Sequence, residues 1–540
     1  MSSGLKTITV EIKNNYRVVV LTAGRGGRLG NRTDFFNKSL LKIGDKAAIS
    51  HVIEKYPLET EFVVALGYHG DMVRQYLSLA HHDRKFIFVE IDKISGEGSG
   101  PGYSLSKCKN ELQCPFFFWS CDTIVKEILT NYPLDKNWIG SSELELFDEI
   151  KNYCTIKMDQ KSINPIVADF CDKTYLGTKS AFIGLAFIKD YENFWSALEL
   201  NKTITNGEVQ IIPALASLKN LWVYDFTWFD IGNEEGFKKA KDSFKGFQNL
   251  DKSNEEIYFF NNFVVKYFYD DKMVNDRLER SKKLDGTIPK ILGYTKNFYK
   301  SEFLPSKNLF EVDNQDELLE PLLNYTKINL WKDAKVDYSS GKEFKEACKS
   351  FYYSKTFHRL RKLNIPDSEE LINRVLVKPV QFMISNLDWD YLCNGIPSNF
   401  HGDYTFSNIL LVENQRSKSF KFVDWRENFG TISDYGDRYY DLAKLYHCMI
   451  FPHNSVKSGK YCISKRNDNI DLSIDVSDAI KRAHVIYDKW LVKEGYDLKK
   501  VKILTAIILL NMSPLHEKPL DEYLYYYGKW YLNEVLNGRV

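Results

Sequence analysis

The stretch His401–Arg426, HGDYTFSNILLVENQRSKSFKFVDWR, constrains the fold of this chain more than any other. It opens as His-x-Asp-x-x-x-x-Asn and continues as the apolar run Ile409–Val412. After a polar, turn-rich insert it returns through the alternating segment Phe420–Val423 to Asp424. That pattern is a loop feeding one arm of a β-hairpin, with Asp424 at the far end of the returning arm. Asp403, Asn408 and Asp424 would then gather at one mouth. Phosphoryl transfer needs those parts: an Asp that orients the attacking hydroxyl and takes its proton, and an Asn and an Asp that hold Mg²⁺ on nucleotide phosphates. A surface hairpin whose acids only cap turns is the plainer alternative, and it leaves three chemically specific positions to coincidence.

The segments HGDYTFSNILL and FVDWR resemble the catalytic and metal-binding segments of the aminoglycoside phosphotransferase and choline kinase family. The resemblance implies an α+β, protein-kinase-like fold that uses ATP to phosphorylate small-molecule hydroxyls. It makes Asp403 the catalytic base and Asn408 and Asp424 the Mg²⁺ ligands. Supporting features run from about residue 255 onward. Ile257–Phe260 and Phe263–Phe268 read as a hairpin, and Lys266 is the strand lysine that such a fold sets on the α/β phosphates. Glu279, on a helix expected from Asp271 to Leu284, is the acid chosen to pair with it. Phe298–Leu304 resembles the hinge strand that holds adenine through its backbone, which brings Glu302 and Leu304 to the nucleotide. No glycine stands between Gly246 and Gly286, so a glycine-rich phosphate flap is absent from this segment.

The remainder reads as helical. Ser368–Leu387, Val476–Gly495, Lys500–Leu510 and Asp521–Leu536 repeat apolar residues at intervals of three and four. YGDRYYDLAKLYH carries Asp437 and Asp441, read as bracing residues. In DEYLYYYGKWYL, Trp530 and neighbouring tyrosines could cage a quaternary ammonium, although an aromatic core stripe is the better reading.

Earlier in the chain, the buried parallel strand Val18–Leu21 runs into TAGRGGRLGNRTDFFNKSLL. Gly24, Gly26 and Gly27 let the backbone pass close to phosphates, and Arg25, Arg28 and Lys38 supply charge for a triphosphate. No GxxxxGK[ST] is present, which disfavours a P-loop. The spacing A-G-x-G-x-R-L followed by K-S-L-L resembles the nucleotidyltransferase family that activates sugar phosphates and phosphocholine. Asn37 stands where that family commonly has Pro, and Gly27 where it has Thr or Ser. The resemblance implies nucleotide contacts at Ala23, Gly24, Gly26 and Gly27, with catalytic roles for Arg28 and Lys38. It lays the second glycine-rich loop, Ser95–Leu105, against base and ribose through Gly100, Pro101, Gly102 and Ser104.

Phe116–Ser120 ends at Cys121-Asp122, and an acid at the carboxyl end of a central strand is where an α/β sheet places ligand chemistry. The resemblance makes Asp122 a Mg²⁺ ligand and Asp230, in WFDIG, its partner. Taken alone, Asp230 could equally be a helix N-cap. Ala181–Ile188 reads as a strand and 206–218 as a helix, with Phe182, Gly184 and Glu208 as acceptor-lining candidates. The expected sheet is Rossmann-like and mostly parallel.

A chain of 540 residues exceeds one core. The irregular, polar stretch Phe244–Asn254 sets expected domains at 1–247 and 248–540. A net charge of +1 indicates no bulk attraction to nucleic acid or membrane. Nine cysteines without a CxxC, no signal-like N-terminus and no long apolar run lead to the expectation of a cytoplasmic protein. Oligomerisation is left open.

The two phosphate sites form a chemical sequence, ATP-dependent phosphorylation of a small alcohol followed by nucleotidyl transfer to the product. K-S-L-L and G-Y-H-G-D resemble phosphocholine cytidylyltransferases, favouring choline or another amino alcohol with CTP, for capsule or lipopolysaccharide decoration. A sugar kinase joined to a sugar-1-phosphate nucleotidyltransferase is the alternative. One catalytic half with a nucleotide-binding regulatory half is the alternative of another class.

Overall fold

The computed structural model describes residues 16–144, 152–159, 165–171, 178–200, 204–205, 207–247, 254–414, 417–466 and 468–540. Residues 248–253, where the sequence sets the domain boundary, lie outside the described residues. By their contacts the residues form two compact units, Met1–Asp271 with Ile291–Phe303, and Lys272–Lys290 with Leu304–Val540.

The first unit is built on a nine-stranded sheet. Its order is Lys85–Glu90, Glu61–Leu66, Arg17–Leu21, Phe116–Ser120, Ser180–Ile188, Trp138–Glu143, Trp222–Asp225, Ile166–Cys171, Thr155–Asp159. The first four strands are parallel. Val18, Val19 and Val20 have no exposed surface, as expected where both sheet faces are covered. Beyond Phe116–Ser120 the sheet is mixed rather than mostly parallel, because Ser180–Ile188 runs antiparallel to both neighbours. An apolar run buried on both faces reads the same in either direction, so strand polarity was not written in it. The helix expected over 206–218 is shorter as well. Glu208–Val209 is a strand and only Ile212–Ala216 is helical, with Pro213 fixing its first turn.

A four-stranded antiparallel sheet, Glu255–Phe259, Phe263–Phe268, Phe298–Glu302 and Ile291–Tyr294, also belongs to this unit. By sequence order these strands are expected to belong with the residues that follow them, in 248–540. Their side chains decide otherwise. Tyr258, Phe260, Val265, Tyr267 and Phe298 enter the same apolar core as Val18 and Tyr76. The Tyr258 hydroxyl donates to the Leu40 carbonyl at 2.6 Å, and the Tyr267 hydroxyl to that of Phe35.

The second unit is mostly helical. Asp478–Lys493, Leu498–Met512 and Leu520–Leu536 match the periodic segments, and Arg438–Ile450 is helical as well. Ser368–Leu387 does not. It folds as strands Glu370–Ile372 and Val375–Val377 and the short helix Val380–Ser385. Asn373 and Arg374 both take positive φ there, which a helix cannot accommodate. The hairpin expected after His401 is present, with Ile409–Asn414 paired to Ser417–Phe422 and Ile409 opposite Phe422. No described helix is long and apolar enough to cross a membrane.

Candidate functional site

In the first unit, Arg17–Leu21 is flanked by parallel strands on both sides, Glu61–Leu66 on one and Phe116–Ser120, reached only after Lys85–Glu90, on the other. The connections therefore leave it in opposite directions and open a crevice at its carboxyl end. The loop from Thr22 enters that crevice. Gly26 has φ +73°, and a Cβ on Gly24 or Gly27 would meet no atom within 4 Å, so this stretch of backbone presents an open surface. Asn37 locks the loop. Its fully buried amide donates to the carbonyls of Thr22 at 2.8 Å and Tyr68 at 2.6 Å and accepts from the Ser39 backbone at 2.9 Å. At the position where the resembled family commonly has proline, Asn37 thus serves as a clamp that its neighbours in sequence do not announce.

Lys38 follows directly, and its Nζ binds Asp122 Oδ2 at 2.8 Å. Arg28 Nη2 stands 4.0 Å from the same oxygen. Burial alone would push the Asp122 carboxyl up, but the Lys38 ammonium outweighs it and holds the group down to about 2. The Lys38 amine is disfavoured by burial and driven above its ordinary range by Asp122.

Backbone pairing brings Asp230 to the same place. Trp228–Asp230 pairs antiparallel with Thr123–Val125, setting Asp230 opposite Thr123, and Ile231 N–H donates to the Asp122 carbonyl at 2.9 Å. Asp230 is not the cap of the next helix. Asn233 caps Glu234–Ser243 by accepting from Gly236 N–H at 2.9 Å. Asp230 itself accepts from Gly232 N–H at 2.8 Å, Asn233 Nδ2 at 2.8 Å and the Tyr153 hydroxyl at 2.7 Å.

Gly232 marks where these groups converge. A Cβ there would lie 2.8 Å from Asp122 Oδ2, 2.9 Å from Asp230 Oδ1 and 3.0 Å from Arg28 Nη2. Two carboxylates facing one gap are the hard oxygen donors Mg²⁺ takes, with its other positions left for phosphates and water. Among the described residues no group of three or more His, Cys, Asp or Glu forms a metal cage. The Gly100 loop packs elsewhere in this unit. Gly100 takes φ +109°, and a Cβ on it would fall 2.7 Å from Glu208 Cβ. Pro101 and Gly102 open the helix Pro101–Lys107, and Ser104, buried, donates its N–H to the Gly100 carbonyl at 3.0 Å. Ala23 is buried, and its carbonyl accepts from Tyr68 N–H at 3.0 Å.

In the second unit, Asp403 lies on the loop before the Ile409 strand. Asn408 Nδ2 donates to the Asp403 carbonyl at 2.9 Å and to its Oδ2 at 3.0 Å, while Lys444 Nζ binds Oδ1 at 2.7 Å. Burial pushes the Asp403 carboxyl up, but Lys444 prevails and keeps it below the usual carboxylate range. Asp441 holds the loop from below, accepting N–H bonds from His401 and Gly402 at 2.7 Å each and from the Trp331 indole at 3.0 Å. The buried His401 ring bonds the Val423 carbonyl at 3.0 Å, and Val423 N–H donates to the Asn408 carbonyl at 2.9 Å. These bonds tie the Asp403 loop to the strand end that carries Asp424.

Asp424 has φ +60° and binds Arg277 Nη1 at 2.8 Å. Arg277 comes from the helix Asp271–Lys283, on which the sequence reading had singled out Glu279. Glu279 is exposed and pairs with Lys282 at 2.7 Å. Lys444 was missed too; its only signal was its place three residues after Asp441, on one helix face. Lys266 is buried on Phe263–Phe268, opposite Tyr299, and Glu302 is exposed opposite Phe263, both in the first unit. Leu304 is half-buried and opens a segment of the second.

No family model matches the chain. It is similar to bifunctional protein GlmU of Methanococcus vannielii, at 25% identity over 223 residues, 40% of this chain and 51% of that protein. GlmU of Methanococcus aeolicus is 26% identical over 203 residues, 37% of this chain and 46% of that one. The chain thus spans about half the length of the curated relatives it matches. Among solved structures, a UDP-glucose pyrophosphorylase complexed with UDP-glucose matches 42% of this chain and 97% of its own, with a TM-score of 0.37 and 18% identity. A UDP-glucose pyrophosphorylase from Acinetobacter baumannii gives 0.35 and 15%. About 40% of the chain is therefore similar in sequence to bifunctional protein GlmU, and the described residues form a mixed α/β molecule.

Proposed function

We propose that the chain is a bifunctional transferase whose second unit phosphorylates a small alcohol with ATP and whose first unit attaches a nucleotidyl group to the product. The observation that carries the nucleotidyl step is the convergence of Asp122, Asp230, Arg28 and Lys38 at the end of the Arg17–Leu21 crevice. A phosphate oxygen of the acceptor attacks the α-phosphorus of the nucleoside triphosphate, the α–β bridging bond breaks, and pyrophosphate leaves. Lys38 and Arg28 balance the charge that develops on the triphosphate. The backbone from Ala23 to Gly27 receives the phosphates. Asp122 and Asp230 would hold Mg²⁺, which neutralises phosphate charge when bound.

In the second unit, Asp403 takes the proton of the acceptor hydroxyl while Lys444 keeps its carboxylate ionised. Asn408 and Asp424 would hold the metal on the nucleotide phosphates. For the acceptor, the sequence favours an amino alcohol through K-S-L-L and G-Y-H-G-D, with CTP as donor. An aromatic cage does not support that choice. Tyr523, Tyr527, Tyr531 and Trp530 stack on one another, Tyr527 lying within 29° of parallel to each of the other three, and so offer no box of crossed faces.

The test incubates the full chain with ATP, CTP, GTP, UTP and Mg²⁺ against a panel of alcohols and sugars, with products identified by mass. Asp403→Ala should abolish phosphorylation alone, and Asp122→Ala nucleotidyl transfer alone. Loss of both activities in either variant would refute the division of labour. Absence of any phosphorylated acceptor would leave the second unit a nucleotide-binding module without turnover.

A further inference from the structure

Four cations crowd the Asp403 loop, and one carboxylate answers them. Arg426 lies against the loop, with its Nε donating to the Gly402 carbonyl at 3.3 Å. Lys444 is bound to Asp403. Lys355 Nζ sits 3.9 Å over the Phe351 ring, and the Arg426 guanidinium stands 5.4 Å from the same ring. Arg359, one helical turn beyond Lys355, donates to the Asn511 carbonyl at 3.0 Å and feels the charge of Arg426. Among the described residues, no acid stands within ion-pairing distance of Lys355, Arg359 or Arg426. Asp424 and Glu427, the next acids along the chain, face Arg277 instead.

The helix itself is distorted at this point. Between the α-helical stretches Tyr338–Lys349 and Lys355–Leu360, Ser350–Ser354 is a π-helical turn, an arrangement that costs backbone energy and recurs at functional sites. It presents Phe351 as the platform on which Lys355 and Arg426 rest. Burial, with Arg426, Arg359 and Lys444 adding repulsion, pushes the Lys355 amine down to about 6. Without an anion the Lys355 amine therefore escapes the crowding by giving up its proton near neutral pH, and an anion joining Lys355, Arg359 and Arg426 would restore its charge.

The two oxygens of Asp403 give the cluster a side. Oδ2 faces Asn408, the proposed metal ligand, and Oδ1 faces Lys444, while the Asp403 charge also reaches Arg426 and Lys355. We infer that Lys355, Arg359 and Arg426 bind an anionic group, carboxylate or phosphate, on the acceptor alcohol itself, so that the second unit phosphorylates an acidic polyol and not a quaternary ammonium alcohol. This rests on the reading of Asp403 as the base of a small-molecule kinase.

The test uses the full chain and two matched series: glycerol, glycerate and sn-glycerol 3-phosphate, and glucose, glucuronate and glucose 6-phosphate, with choline alongside. Binding is read by calorimetry and by the ligand-dependent rise in Tm. At least one acid should bind while its neutral parent and choline do not, and the carboxylate and phosphate arms report which anion is preferred. Lys355→Met should weaken that binding roughly tenfold to a hundredfold and abolish the Tm rise, while Lys355→Arg retains both. Relief of crowding should leave unliganded Lys355→Met at least as stable as the wild type, so lost binding is not lost folding. Choline binding as tightly as the acids, acids binding Lys355→Met as tightly as the wild type, or no acid binding at all would each overturn the inference. A rise confined to the KM for ATP in Lys355→Met would move the cluster to the nucleotide and overturn it as well. Turnover separates the two readings. An acid that binds through Lys355 but is not phosphorylated removes the kinase and keeps the anion site; phosphorylated choline with unphosphorylated acids does the reverse.

Discussion

Gly232→Ala places a single methyl group in the gap between Asp122 and Asp230 and changes no charge. The backbone accepts the substitution, since Gly232 is not among the glycines with positive φ. The added carbon would start 2.8 Å from Asp122 Oδ2 and 2.9 Å from Asp230 Oδ1. Non-bonded heavy atoms settle near 3.5 Å, so each carboxylate must retreat by roughly 0.6 Å. Neither is free to do so. Asp122 is anchored by Lys38 and Ser120, and Asp230 by Tyr153, Asn233 and Gly232 N–H. Overpacking of this kind costs about 1–3 kcal/mol of stability. A misplacement of about 1 Å costs catalysis about a hundredfold, so 0.6 Å should lower kcat/KM for nucleotidyl transfer roughly tenfold to fiftyfold. The assay is pyrophosphate release against Mg²⁺ concentration, with acceptor phosphorylation by the same preparation as the internal control. The Mg²⁺ needed for half-maximal rate should rise and phosphorylation should stay unchanged. Wild-type kcat/KM and Mg²⁺ dependence in a folded Gly232→Ala protein would refute the shared site. Gly341→Ala, on the helix Tyr338–Lys349 with no atom within 4 Å of the new Cβ, should leave nucleotidyl transfer untouched.

Asn37→Ala removes the amide that joins the Thr22 and Tyr68 carbonyls. It should cost about 2–4 kcal/mol in chemical denaturation and raise the KM for the nucleoside triphosphate, and an unchanged KM would separate the clamp from the nucleotide loop. Asp441→Asn turns one end of an acceptor-only group toward backbone N–H donors. It should slow phosphorylation at least tenfold while nucleotidyl transfer persists, an outcome read by running both assays on one sample. Burial pushes the His81 imidazole, bonded to Ser50 at 2.8 Å, down to about 3, so the folded state binds fewer protons than the unfolded one between that value and the ordinary value near 6.5. Stability contributed by neutral His81 is therefore present above pH 6.5 and lost as pH falls, at about 1.4 kcal/mol per pH unit. Denaturation midpoints of His81→Gln should fall less steeply between pH 6.5 and 5 than those of the wild type, and parallel curves would contradict the assignment.

The pattern of residues along the chain determined what short-range chemistry can determine. Asp403, Asn408 and Asp424 were legible because a hairpin carries its own register: the turn-rich insert and the alternation fix which ends meet. Asp122 and Lys38 were legible because a buried strand ending in an acid, and a glycine loop ending in a base, are local patterns. Other features depended on partners far away in sequence. The polarity of Ser180–Ile188, the allegiance of the Tyr258 and Tyr267 strands and the hairpin at Asn373 depend on which surface covers each apolar run, and an apolar run does not name its cover. The His81 ring is held in the core by Ser50, thirty-one positions earlier, a contact that nothing in its immediate sequence announces. The same holds for charge. Arg277 at Asp424, Lys444 at Asp403 and the unanswered cations on Phe351 come from separate helices and loops, and Coulomb interactions act across space rather than along the chain. The candidate residues could be named from their order alone, but which charges surround them was decided by packing.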